Sequence, residues 1–277
     1  MLKGSVITRV IGKAVLAAPG GRQALDLYSA LKLVKLADLR AELHRPAGGT
    51  IGALPLPGLL RRISVAGTPN VDWFLASGAA AASCLRQALA GQGRALEDCR
   101  AILDFGAGCG RVLRHLAPLA ARARICGVDI NPGSIAWAKR NLRFAEMAVC
   151  PLAPPLDLDA GSFDLIYALS VFTHLPEDLQ LAWMREKHRL LRPGGLLFFT
   201  THGVSYAAEL GPEERASFDS GQLVVRRADT AGSNWCGAYH PPLWVAAHLE
   251  SGFRRLEHRP DGALGNPHQD YYLFAKI

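Results

Sequence analysis

The run Asp104-Phe105-Gly106-Ala107-Gly108-Cys109-Gly110 sets an acid at the end of an apolar stretch and follows it with three alternating glycines. Residues without side-chain bulk at a sharp turn let a ligand approach the backbone closely. Further on, Arg124-Ile125-Cys126-Gly127-Val128-Asp129-Ile130 is a second apolar stretch ending in an acid. An acid at that place can accept hydrogen bonds from both hydroxyls of a ribose, and it disfavours a phosphate. The chemistry on offer is the binding of a nucleoside. The G-x-G-x-G spacing departs from the dinucleotide pattern G-x-G-x-x-G, and the lysine of a phosphate-gripping loop is missing.

These residues need strands to hold them. Residues 102–105 and 124–129 read as strands, and 111–117 reads as a helix whose unpaired N–H groups would face the ligand. Before the glycines, an alanine-rich helix spans about 75–90. After them, helices at 134–143 and 177–191 alternate with strands at 146–150, 163–169 and 196–201. Such alternation implies right-handed crossovers and a parallel sheet, with the ligand beyond the carboxyl ends of the strands.

At this point the chain resembles the class I S-adenosylmethionine-dependent methyltransferases of the bacterial small-molecule type. Asp104 to Gly110 resembles their first motif and Gly127-Val128-Asp129-Ile130 their ribose-binding strand end. Ser162-Phe163-Asp164-Leu165-Ile166-Tyr167 is similar to their fourth strand, and Leu191-Arg192-Pro193-Gly194-Gly195-Leu196-Leu197 to the turn into their fifth. The resemblance implies a Rossmann-like, doubly wound α/β fold: a mostly parallel seven-stranded sheet with helices on both faces. Residues 253–258 and 271–276 are the candidates for a last hairpin with one antiparallel strand. It further implies S-adenosylmethionine as the methyl donor. Asp104 would then hold the donor's amino group, Gly106 and Gly108 would line its methionine portion, and Asp129 would hold the ribose. Ile130 would pack on adenine, while Phe105, Ala107, Gly110 and Ser170 complete the binding set. Many relatives place another acid after the third strand, where this chain has Ala148-Val149-Cys150-Pro151-Leu152.

A methyl group on a positively charged sulfur needs a nucleophile held in line, and a hydroxyl acceptor also benefits from a base. His174, just past the fourth strand, and His202, at the end of the fifth, are the candidate bases, with His240 third. Structural roles compete for each. The stretch 202–242 is expected to shape the acceptor site with Tyr206, Trp235 and Tyr239. Trp73 and Phe74, in a segment resembling the cofactor cover of bacterial relatives, are expected either as a lid or as core. The run Leu169-Ser170-Val171-Phe172 lacks the Asn/Asp-Pro-Pro-aromatic signature of base-amino methyltransferases, and Cys150-Pro151 reverses the order of a cytosine-methylating nucleophile. No acid cluster signals a metal. A small-molecule, sugar or lipid-linked acceptor methylated on oxygen or nitrogen remains. The alternative is a non-catalytic S-adenosylmethionine-binding or scaffold protein.

Charge divides the chain. Residues 1–65 hold 10 Lys/Arg and 3 Asp/Glu, whereas 66–277 hold 21 of each. The net charge of +7 therefore belongs to an N-terminal extension, and nucleic acid is not signalled as a partner of the 66–277 domain. The extension reads as a basic helical segment with an amphipathic stretch near 2–16, a second helix at 24–43 and a Pro/Gly-rich connector. It packs on the domain or contacts a membrane surface or a protein through residues 1–45. Six scattered cysteines without paired spacing, no cleavable leader and no membrane-length apolar run point to a cytoplasmic protein.

Overall fold

The computed structural model describes Gly21, Thr50, Ile51 and residues 54–266 and 268–277. The expected amphipathic and second helices of the extension lie outside the described residues. After a short antiparallel pair, Thr50–Ile51 with Leu54–Pro55, five strands follow: β1 (Ala101–Phe105), β2 (Arg124–Asp129), β3 (Glu146–Val149), β4 (Phe163–Ala168) and β5 (Leu191–Thr201). A small pair, β6 (Val224–Arg226) and β7 (Gly237–Tyr239), follows, and β8 (Phe253–Arg259) and β9 (Asp270–Lys276) end the chain. The main sheet has seven strands in the order β8-β9-β5-β4-β1-β2-β3. All neighbours from β5 to β3 pair parallel, while β9 runs antiparallel to both β5 and β8. The expected doubly wound α/β sheet with a single reversed strand is what forms.

Both faces of the strands are apolar because helices cover both. Ile102, Leu165, Tyr167, Leu196, Phe198, Tyr271 and Leu273 face one layer, packed on α1 (Leu59–Ala66), α2 (Val71–Ala90) and α3 (Pro132–Asn141). Their neighbours Leu103, Phe105, Ile166, Leu197, Phe199, Tyr272 and Phe274 face the other, against α4 (Glu177–Leu190) and α6 (Pro242–His248). On α2, Phe74, Ala81, Leu85, Ala88 and Leu89 make the buried stripe. Each fully buried Leu or Phe contributes about 1.5–3 kcal/mol.

Helix starts are fixed at the carboxyl end of the sheet. The Asn70 side chain accepts from Trp73 N, and Asn131 Oδ1 accepts from Ser134 N at 3.0 Å, with Pro132 in the first turn of α3. Between β5 and α6, the stretch expected as an insertion forms two 3₁₀ segments (Val204–Glu209 and Ala228–Thr230), α5 (Pro212–Asp219) and the β6–β7 pair, around Ala207, Phe218, Val224 and Tyr239.

One expectation is corrected. The segment after the glycines is a 3₁₀ turn, Leu113–Ala121, instead of an α-helix over 111–117. Pro118 lies inside it, and proline has no N–H to give and clashes with the carbonyl four residues earlier.

Candidate active site

A cavity of about 510 Å³ opens at the carboxyl ends of β1, β2, β4 and β5. Gly106 sits at φ +91°, and a Cβ there would lie 2.3 Å from Val171 Cγ2. Gly108 sits at φ +54°, where a Cβ would meet Val65 at 2.7 Å. Only glycine satisfies both the left-handed turn and the close approach of the covering segments.

The amides of this turn are turned inward. Gly106 N and Ala107 N donate to Val128 O at 2.8 and 3.0 Å, and Gly110 N donates to Ala107 O at 2.8 Å. Gly108 N donates to Asp129 Oδ2 at 2.8 Å. These four turn amides are thus engaged within the protein. Asp129 Oδ1 accepts from Asn131 N at 2.7 Å, so each carboxylate oxygen spends one acceptor position on backbone and keeps another for a ligand hydroxyl.

Asp104 is buried, and burial pushes its carboxyl up to about 7; Asp129 adds to the shift, and Tyr167 and Arg111 oppose it. Arg111, immediately after the glycines, is buried and donates to Ser77 Oγ at 3.1 Å, Gly265 O at 3.2 Å and Asn266 Oδ1 at 2.8 Å. It ties the loop before β9 to the glycine turn. Phe105, Gly106, Ala107, Gly108, Ile130 and Ser170 line the same cavity. Gly110 does not. It lies at φ +76° and packs on Leu142, where a Cβ would come within 2.2 Å of Cδ1, so its role is close packing.

Cys150, Pro151 and Leu152 line the wall where relatives of the resembled family carry an acid. Trp73 and Phe74 part company: Trp73 lines the cavity and is 38% exposed, whereas Phe74 is core.

Ser170 adopts φ +57°, held by its N donating to Thr200 Oγ1 at 2.8 Å and its Oγ accepting from Gln269 Nε2 at 2.9 Å. The chain then turns so that Val171 and His174 line the cavity. His174 Nδ1 lies 2.8 Å from the Cys236 carbonyl oxygen. A carbonyl only accepts, so Nδ1 carries the proton and Nε2 keeps its lone pair. Burial lowers the His174 pKa, keeping the ring neutral at neutral pH. His202 also lines the cavity, stacked on Tyr206 at 3.9 Å and edge-on to His174 at 6.4 Å. Burial, with His174 and His240 adding to it, pushes His202 down to about 3.

His240 is wholly buried, with Nε2 at 3.0 Å from Gln180 Oε1, and lines no part of the cavity. Of the expected aromatics, Tyr206 reaches the cavity. Trp235 stacks under Arg227 at 4.5 Å, and Tyr239 packs beneath His202 and Arg226. Asn234, Asn266, Gln269 and Arg111 are lining residues that the sequence reading missed. Arg111 was visible beside the third glycine, but the others sit in loops with no periodic signal. Among the described residues, no three His, Cys, Asp or Glu side chains converge as a metal set, and all six cysteines are free and buried.

An acid-glycine turn and a strand-end acid at the carboxyl edge of this sheet define a nucleoside-binding domain of the methyltransferase type. The family model described as a methyltransferase domain matches residues 103–197. The chain is 33% identical over 101 residues to the malonyl-acyl-carrier-protein O-methyltransferase of Hahella chejuensis, covering 36% of this chain and 36% of that protein. It is 30% identical over 112 residues to a ubiquinone biosynthesis O-methyltransferase of Coxiella burnetii, covering 39% and 46%. A SAM-dependent methyltransferase structure from Methanosarcina mazei shares the fold with a TM-score of 0.52 at 20% identity, over 68% of this chain and 97% of that one. The chain spans less than half the length of these curated relatives. Residues 103–197 thus form a methyltransferase domain, and the chain is similar to S-adenosylmethionine-dependent methyltransferases.

Proposed function

We propose that the protein transfers the methyl group of S-adenosylmethionine to an oxygen of a small-molecule acceptor, with His174 as the base. The observation that carries this reading is the His174–Cys236 hydrogen bond, because it leaves a neutral Nε2 lone pair in the cavity that Asp104 and Asp129 also line.

The donor fits the residues at the other end. Asp129 retains acceptor positions for ribose hydroxyls, Asp104 matches the amino group, and Arg111 suits the carboxylate of the methionine portion. S-adenosylmethionine brings a methyl group on a sulfonium that needs no activation by metal. The acceptor oxygen attacks the methyl carbon while its proton passes to His174 Nε2. The electrons of the breaking carbon–sulfur bond stay on sulfur, giving neutral S-adenosylhomocysteine sulfur and a protonated imidazole that later releases its proton to solvent.

Positioning accounts for more than the base does. Orientation is worth about 7–11 kcal/mol and a base about 10²–10⁴ in rate. His202, at about 3, holds its proton too weakly to serve as base at neutral pH and is assigned the role of a neutral support for Tyr206. The malonyl-carrier and ubiquinone-pathway relatives are named as O-methyltransferases, which supports oxygen as the acceptor atom.

The test is incubation of the full chain with methyl-labelled S-adenosylmethionine and fractionated small-molecule extract, reading label in product by mass spectrometry. Label in an ether or ester product is expected. Label only in amines, or none with the cofactor bound, would overturn the reading.

A further inference from the structure

Formal charge is confined to one end of the cavity. Asp104, Arg111 and Asp129 are its only Asp, Glu, Lys or Arg lining residues among the described residues, and all three belong to the β1–β2 end. The other end is lined by His174, His202, Tyr206, Gly232 and Asn234, contributed by the turns after β4 and β5 and by the stretch before β7. Asn234 Nδ2 donates to Ser64 O at 3.4 Å, which brings that stretch against α1.

The nearby arginines are engaged elsewhere. Arg226 is paired with Glu214, at 2.9 Å through Nε, and lies over Tyr239, while Arg227 lies over Trp235. Both histidines are held neutral by burial. A carboxylate, phosphate or ammonium entering this end would lose its water and find no counter-charge among the described residues, which is the costly case for any ion.

What is present favours a flat, apolar body. Tyr206 is fixed on two sides, by its stack on the His202 ring at 3.9 Å with planes 27° apart and by a hydrogen bond with Gln269. Gln269 is in turn held by Ser170 Oγ at 2.9 Å and Thr200 Oγ1 at 2.7 Å. An aromatic ring locked in this way offers stacking area without an ordering cost.

We propose that the acceptor is an uncharged planar hydroxyl compound of the phenol or enol class, stacked at Tyr206 with its hydroxyl toward His174. The proposal rests on the methyltransferase reading above and narrows it. With no cation or acid at this end among the described residues, a carboxylate and an ammonium acceptor are both disfavoured.

The test is calorimetric titration of the full chain saturated with S-adenosylhomocysteine, using naphthol, naphthoate and naphthylmethylammonium, which share one planar body and differ in charge. Naphthol is expected to bind about tenfold or more tightly than either ion. Tyr206→Phe should retain naphthol affinity and Tyr206→Ala should lose it, while Asn234→Lys should shift preference toward naphthoate. Equal or tighter binding of either ion by the native chain, or no binding of naphthol, overturns the proposal. Failure of S-adenosylhomocysteine itself to bind would overturn the methyltransferase reading beneath it.

Discussion

At one end of the cavity, two acids and an arginine surround a glycine turn whose amides are spent on the protein itself. At the other, two neutral histidines and a fixed tyrosine stand in segments that differ in kind from the sheet. The first end is built from strand ends, so its geometry follows from the parallel sheet. The second is borrowed from the stretch between β5 and α6 and from the turn after β4. On the proposed reading, the donor would be held by fixed charge on rigid elements, whereas the acceptor would be selected by shape and by the exclusion of charge.

The strongest way to break this division is His174→Ala. Turnover should fall by about 10²–10⁴, with affinity for S-adenosylhomocysteine within twofold of native, as read by steady-state kinetics beside calorimetry. Because burial lowers its pKa, the acid limb of the native kcat profile should lie below 6.5. A limb above that value, or loss of cofactor affinity in the variant, would merge the two ends.

A smaller effect sharpens the donor end. With its carboxyl near 7, Asp104 is protonated at lower pH and then cannot hold a cationic amino group as a carboxylate. Affinity for S-adenosylhomocysteine should therefore rise with pH through about 7 and weaken about tenfold per unit below it. Titrations at several pH values check this, and a flat profile would remove Asp104 from the donor contacts.

The smallest functional effect is expected behind the donor wall. Lys187 is fully buried, its Nζ has no hydrogen-bond partner among the described residues, and it lies 3.4 Å from the Phe105 ring centroid. Burial pushes its pKa down to about 7. Cation–π attraction returns about 2 kcal/mol, less than desolvation costs a lone ammonium. Lys187→Met should stabilise the fold by about 1–4 kcal/mol in denaturant melts, leaving cofactor affinity unchanged. The gain should be full below about 7 and shrink as pH rises toward 10.5, where the unfolded lysine also loses its proton. Destabilisation would mean that the cage is needed to hold Phe105.

Legibility in the sequence follows the same line. The strands, their order of chemistry and the residues Asp104, Gly106, Gly108 and Asp129 are readable because continuous apolar runs and turn glycines are local signals. The 3₁₀ turn at Leu113–Ala121 is not distinguished from an α-helix by the apolar spacing of Val112, Leu113 and Leu116 alone. The fixing of His174 depends on the Cys236 carbonyl, 62 residues away, and that of Tyr206 on Gln269 near the chain end. No local pattern encodes such partners. Gly110 looked like a binding glycine, yet its neighbour Leu142 decides its use.

The central claim, that this cavity holds the methyl donor through strand-end carboxylates, is tested most directly by calorimetric titration of S-adenosylhomocysteine into the native chain and into Asp129→Ala. Charge-assisted hydrogen bonds are worth about 1.5–3 kcal/mol each. The account predicts one-to-one binding to the native chain and a loss of about 10²-fold or more in the variant. No binding to the native chain, or equal affinity for both, would contradict it.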